Sequence, residues 1–168
     1  MMVTRSGDLD PAIVSFLADR EGLSARDIEK LLNTKSGLLG VSGISSDLRE
    51  IEAAAARGDR RAVLAIDVFC YRARKYIGSY MAVIGRADAI IFGGGIGEHS
   101  ALVRERICAG LGIFGVMLDG AQNRAGNAGE SRISAVNSEI DVWVIPVDEE
   151  LQMARGAASL LKAVERVG

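Results

Sequence analysis

Between Ala87 and Gly110 the chain changes its hydrophobic period twice, and that change limits its fold more than any other feature. Upstream, apolar residues recur at helical spacing. At "ADAIIF" they become a short continuous run bounded by Asp88 and by glycines, the pattern of a buried parallel strand. Four glycines then fall between Gly93 and Gly97, and a helical pattern resumes from Ser100 to Gly110. Strand, glycine loop and helix in succession imply an α/β layer arrangement, in which open sheets hold ligands beyond the carboxyl ends of their strands. Two further strands are predicted at "RISAV" and "DVWVIP", the second closed by Pro146, with Asp148 capping a last helix to about Val164. The loop tips Gly93 to Gly97 and Val147 to Glu150 should then share one sheet edge. From Leu118 to Arg132 the composition predicts a polar loop.

The first half reads as helices. Asp10 and Pro11 open one that runs to Arg20 and stops at Gly22, and Ser24-x-x-Asp27 is a capping box for a second, with Ile28, Leu31 and Leu32 on one face. "KSGLLGVSGISSD" predicts a break. Ser46 or Asp47 then caps a helix to Arg57, and Gly58-Asp59 starts another that reaches about Ile84, roughly seven turns. Val63, Ile66, Cys70 and Ile77 make its core stripe, whereas Arg72, Arg74 and Lys75 are expected to snorkel on the wet side.

Composition narrows the partners. The 168 residues are 49% hydrophobic with mean hydropathy +0.20, which points to one globular domain over 1–168 rather than disorder. A net charge of −2 lacks the basic excess that neutralises a phosphate backbone, so no nucleic-acid partner is expected. Cys70 and Cys108 are far apart with no C-x-x-C, as core thiols in a reducing cytosol would be. No apolar leader or membrane-length run is found, and a soluble cytoplasmic protein without a membrane partner is the expectation.

Taken residue by residue, the motifs leave alternatives open. The glycine loop lacks the Gly-Lys-Ser/Thr of a Walker loop and has Ser100 where a dinucleotide fingerprint needs its third glycine. It offers bare backbone to a planar base or a phosphate, or it is simply a tight turn. Glu149 and Glu150 either complement a helix dipole or supply a carboxylate to hydrated magnesium. Arg5 and Arg49 lie in loop-like stretches and can clamp a phosphoryl group, or pair with Asp8 and Asp47. His99 reads as a neighbour of a helix N-cap.

Four segments in one order, "TRSGDLDP", "SGLLGVSGISSDLRE", "FGGGIGEHS" and "VIPVDEELQMAR", resemble the acetokinase family of the actin, sugar kinase and Hsp70 superfamily, from Thr4 to about Lys162. The resemblance implies the C-terminal portion of an actin-like ATPase (ribonuclease H-like) domain, helix-rich with a small incomplete sheet. It implies reversible phosphoryl transfer from ATP to acetate, giving ADP and acetyl phosphate. Arg5 matches the arginine that meets charge on the transferring phosphoryl group. Asp47, Leu48 and Arg49 match the D-x-R element at the nucleotide. Gly94, Gly95, Ile96, Gly97 and Glu98 match the loop that receives adenosine, and Glu149 matches the glutamate that binds Mg2+.

His99 stands where the family usually has asparagine, and Val147-Asp148 where Thr-Asn or Thr-Asp is common. The resemblance is to the C-terminal part of a family member. The N-terminal domain, with most of the acid pocket and the catalytic aspartate, the phosphate-binding glycine loop ahead of "TRSGD" and the first strands of the C-terminal domain are expected to have no counterpart here. The chain alone is therefore expected to be inactive, to expose a sheet edge, and to form the homodimer that the family makes through its C-terminal domains. Propionate or butyrate as substrate, half of a split enzyme, and a non-catalytic remnant are the other readings.

Overall fold

A computed structural model describes residues 1–125 and 129–165, the side chains at 149, 159 and 161–165 excepted. Five helices come first: α1 (Ala12–Glu21), α2 (Ala25–Thr34), α3 (Gly37–Ser42), α4 (Leu48–Ala56) and α5 (Arg60–Ile84). The starts of α1, α2 and α5 are set by side-chain acceptors. The Asp10 carboxylate accepts from the Ala12 N–H (2.9 Å), Ser24 Oγ from Asp27 (3.2 Å), and the Asp59 carboxylate from Ala62 (2.9 Å). Each occupies one of the orphan donors of a helix N-terminus, typically worth about 1 kcal/mol.

The expected break at "KSGLLGVSGISSD" contains α3. The first residues of the chain lie against its start, so that Leu38 and Leu39 N–H donate to the carbonyls of Met2 and Val3 (2.9 and 3.1 Å). At its far end Arg61 of α5 donates to the carbonyls of Val41 and Gly40 (2.9 and 3.0 Å). Six residues do not hold a helix in water by themselves. Tertiary hydrogen bonds stabilise this one, and Leu38 is fully buried beneath it.

Helix α5 is the spine. It buries Ala62, Ala65, Ile66, Cys70 and Met81, while the expected stripe members Val63 and Ile77 are only half-buried. Arg74 does not snorkel. Its guanidinium donates to the carbonyls of Ile107 (3.1 Å) and Arg106, which satisfies the C-terminal end of a crossing helix. Both cysteines are buried, as expected, and burial pushes the Cys70 thiol up to about 11 and Cys108 to about 12.

The second half supplies the sheet. Strand β1 (Ala89–Phe92) is followed by α6 (Gly94–His99), α7 (Ala101–Cys108), a 3-10 turn (Gly112–Phe114), α8 (Gly120–Ala125), β2 (Ser131–Arg132), β3 (Asp141–Val144) and α9 (Glu149–Glu165). Strand order is β1-β3-β2, with β1 parallel and β2 antiparallel to β3. Phe92 pairs with Val144, so both strands end on the same edge, as the sequence predicts.

Three expectations are corrected. Strand β1 is an edge strand rather than a buried one, and Ile91 is 60% exposed. The polar stretch after Leu118 contains α8, started by Asp119, whose carboxylate accepts from Ala121 and Gln122 (2.8 and 3.0 Å); residues 126–128 of that stretch lie outside the described set. Of "RISAV" only Arg132 belongs to a strand, the two-residue β2 (Ser131–Arg132). Beyond Arg132 the chain turns to Met117–Asp119, with Asp119 N–H donating to the Ile133 carbonyl (3.0 Å) and Ala135 N–H to Met117 (2.8 Å). The core lies between the sheet and α4, α5 and α7, where Ile51, Ile66, Val103, Ile107, Ile133, Val142 and Val144 are buried. No helix among the described residues is long and apolar enough to cross a membrane.

Candidate functional site

The glycine-rich segment is not an open loop. Gly93 is extended, Gly94 turns left-handed (φ +70°), and residues from Gly94 to His99 form α6, which the sequence reading did not foresee. A Cβ on Gly93 would lie 2.7 Å from Val147 Cγ2 and 3.1 Å from the Ile145 carbonyl oxygen, so a side chain there would displace the Val147 methyl and crowd the loop that follows β3. Glu98 Oε1 accepts from Gly94 N–H (2.7 Å) and from Val147 N–H (2.9 Å). That carboxylate closes the turn on itself and binds it to the neighbouring loop. The Gly94 N–H is thereby already engaged.

Ser100 interrupts the helical run with φ −106° and ψ 96°, and its Oγ accepts from Val103 N–H (3.0 Å) to cap α7. Its hydroxyl donates to Glu52 of α4 (2.5 Å), joining the glycine segment to the first half of the chain. His99 directly precedes this cap, as expected.

On α4, Asp47 is the N-cap and takes the Arg49 N–H (2.9 Å). Its two oxygens also hold the Arg49 guanidinium, with Nε at 3.0 and 3.1 Å and Nη2 at 2.5 Å. The side-chain and backbone hydrogen bonds from Arg49 hold the Asp47 carboxyl below the usual carboxylate range. The predicted pairing of Arg49 with Asp47 is thus present. Arg49 remains 87% exposed, so the carboxylate orients a cation that solvent and a ligand can both reach.

Arg5 is exposed, and the backbone around it is fixed. Ser36 N–H donates to the Thr4 carbonyl and Ser6 N–H to Leu32 (both 2.9 Å), so the segment is held by α2 and the start of α3. The alternative pairing of Arg5 with Asp8 is not formed. The Asp8 carboxylate instead takes Arg72 and the Tyr76 hydroxyl of α5, and the latter hydrogen bond contributes most to lowering its pKa.

Two clefts flank α6. One, of about 490 Å³, lies between Ser46–Arg49 with Glu52 on one side and Gly95, Ile96, His99 and Ser100 on the other, with Val3 at its rim. The other, of about 520 Å³, is bounded by Gly94, Gly95, Glu98 and His99 and by Pro146–Asp148 and Glu150. They share Gly95 and His99. A roomier depression of about 640 Å³ lies between the end of α5, the 3-10 turn and the turn before β3, and contains none of the motif residues. The chemistry favours the pair at α6, where exposed backbone, an oriented arginine and acidic residues meet.

Glu149 opens α9 at the rim of the second cleft, and its side chain lies outside the described residues. Asp148 caps α9 by accepting from Leu151 N–H (2.8 Å), as predicted. Among the described residues no cluster of three or more His, Cys, Asp or Glu could enclose a metal.

Arg104 is the residue the motifs missed. It is fully buried on α7, and its guanidinium donates to the carbonyls of Gly97 (2.9 Å), Glu98 (2.8 Å) and Asn123 (2.6 Å) and to Asn123 Oδ1 (2.8 Å). It closes the C-terminal end of α6 from behind. The available signal was an arginine on the apolar face defined by Val103, Ile107 and Cys108.

The Acetokinase family model matches residues 1–155. An acetate kinase of Heliobacterium modesticaldum is 49% identical over 162 residues, covering 96% of this chain and 40% of the relative. The crystal structure of Porphyromonas gingivalis acetate kinase superposes with a TM-score of 0.89 at 45% identity, covering 96% of this chain and 40% of that one. A propionate kinase from Francisella tularensis gives 0.82 at 41% identity, over 89% and 38%. The chain thus spans about two fifths of the length of the relatives it matches. Its helix-rich body and small mixed sheet agree with the expected portion of an actin-like ATPase domain, and the chain belongs to the acetokinase family.

Proposed function

We propose that this chain carries the nucleotide side of an acetate kinase site, in which ATP and acetate give ADP and acetyl phosphate. The observation that supports this best is the first cleft: Asp47, Leu48 and Arg49 meet Gly95 and Ile96 across it, although the two motifs are far apart in sequence. Leu48, Ile96 and the bare Gly95 backbone suit the faces of a purine nucleoside, and Arg49, already oriented by Asp47, suits an anionic or ribose oxygen.

A ligand that passes Gly95 and His99 leaves the first cleft for the second, where α9 begins. Glu149 would hold Mg2+ there, and the ion, when bound, would neutralise charge on the phosphate oxygens. Arg5, held on a fixed backbone, would offer its guanidinium to the charge that develops on the phosphoryl group in flight. The acid-binding residues would come from the part of the relatives that this chain does not match, so phosphoryl transfer by this chain alone is not expected. Propionate as the acid is a second reading, favoured by the similarity to the Francisella tularensis propionate kinase. Half of a split enzyme and a nucleotide-binding remnant are the other readings compatible with the same matched span.

Calorimetric titration with magnesium-ATP tests the reading, followed by a hydroxamate assay with acetate on the same sample. Binding without turnover is expected. Arg49→Ala should weaken binding about tenfold, the worth of one charge-assisted hydrogen bond, whereas Arg5→Ala should leave it within about twofold. An absence of binding by the unmodified chain would refute the proposal.

We further propose a cytoplasmic homodimer built on the apolar residues that α5 exposes towards its end, Tyr80, Val83 and Ile84. Light scattering should return twice the chain mass of 17.8 kDa, and a monodisperse monomer would count against it.

A further inference from the structure

We propose that Glu98 is a positioning residue that couples the two clefts, and that it does not itself bind nucleotide; the inference rests on reading the first cleft as the adenosine site. Its Oε1 accepts from two backbone N–H groups that lie 53 residues apart in sequence terms of Gly94 and Val147, at 2.7 and 2.9 Å. Gly94 begins the segment that borders both clefts. Val147 sits two residues before Glu149, at the entrance to α9. A single carboxylate oxygen between two N–H donors fixes the donors relative to each other, and because the acceptor is charged each bond is of the stronger kind.

Two other contacts make the link stiff. Gly93 packs closely on Val147 and Ile145, where a Cβ would come within 2.7 Å of the Val147 methyl and 3.1 Å of the Ile145 carbonyl oxygen, so the turn and the loop lie in contact. Arg104 holds the Glu98 carbonyl at 2.8 Å and the Gly97 carbonyl at 2.9 Å, so the backbone that carries the carboxylate is fixed from the core side. A ligand that moves or rigidifies α6 must therefore act on the loop that leads to Glu149. By linkage, whatever orders that loop must in turn favour the ligand.

The test is hydrogen exchange of the Gly94 and Val147 amides in the 168-residue chain, free and saturated with adenosine, which has no phosphate to bridge the clefts directly. In the free protein Glu98→Ala should speed exchange at both amides by about 10- to 100-fold while amides on α5 keep their rates. Adenosine should slow Val147 exchange in the unmodified chain but not in E98A. Glu98→Gln keeps an acceptor oxygen and should rescue most of the protection, with exchange only a few-fold faster on the order expected for a neutral acceptor. If E98A unfolds globally, Glu98→Asp carries the test, because its shorter side chain cannot span both N–H groups, and exchange at Val147 unchanged from that of the unmodified chain overturns the inference. Unchanged exchange in a folded E98A overturns it as well. Failure of the unmodified chain to bind adenosine, with the free-protein rates as expected, overturns the nucleoside reading and the coupling, and leaves Glu98 as a structural tether.

Discussion

Arg104→Met is expected to lower the thermal midpoint of this chain by about 6–12 °C, corresponding to about 3 kcal/mol for a domain of this size. Methionine nearly fills the volume of the arginine stem but offers no donor. The carbonyls of Gly97, Glu98 and Asn123 and the Asn123 side-chain oxygen would each lose the guanidinium that now holds them, at a site where Arg104 is 0% exposed. A buried acceptor left unmade costs about 1–3 kcal/mol, and some of that is recovered by water entering the space. Burial already lowers the Arg104 pKa, and the four oxygens offset that cost by accepting from the cation. Arg104→Lys should lie between the two, since an ammonium group reaches fewer of these oxygens in the right plane. A scan by circular dichroism in which R104M melts with the unmodified chain would show that the buried guanidinium contributes nothing to the fold.

Arg104 also marks the boundary of what could be read in the sequence. Elements that depend on local chemistry were legible: α5 from its long apolar stripe and the Asp59 cap, α2 from Ser24 and Asp27, α9 from Asp148. The shared edge of β1 and β3 followed from topology alone. The helices that escaped, α3, α6 and α8, are each six residues long and too short to nucleate alone. They form because groups outside them satisfy their backbone or tie them down: the carbonyls of Met2 and Val3 at the start of α3, the guanidinium of Arg104 at the end of α6, and at α8 the Asp119 cap together with the Asn123 side chain, which donates to the Ala101 carbonyl. The candidate site divides in the same way. Asp47 and Arg49 are two residues apart, so their pairing was a foreseeable option. The reach of Glu98 to Val147 and of Ser100 to Glu52 spans most of a fold, and no periodicity encodes it.

Gly37→Ala is expected to cost about 2–4 kcal/mol in urea denaturation and to release the segment that carries Arg5. Gly37 has φ +62°, which an alanine adopts only at a cost of about 1–2 kcal/mol. The close approach is the larger obstacle. A Cβ there would lie 2.2 Å from the Met2 carbonyl oxygen and 2.8 Å from that of Arg5, both backbone atoms that cannot swing aside like a side chain. To make room, the first residues must leave the start of α3 and give up the hydrogen bonds from Ser36, Leu38 and Leu39 to Thr4, Met2 and Val3. Asparagine separates the two causes, because it tolerates the left-handed conformation yet carries the same Cβ. Gly37→Asn should therefore remain nearly as unstable as G37A. If G37N instead recovers the original midpoint, the strain at Gly37 is purely conformational and Arg5 keeps its place. If both variants lose stability together, the glycine is required because the backbone bearing the proposed phosphoryl-binding arginine passes directly over it.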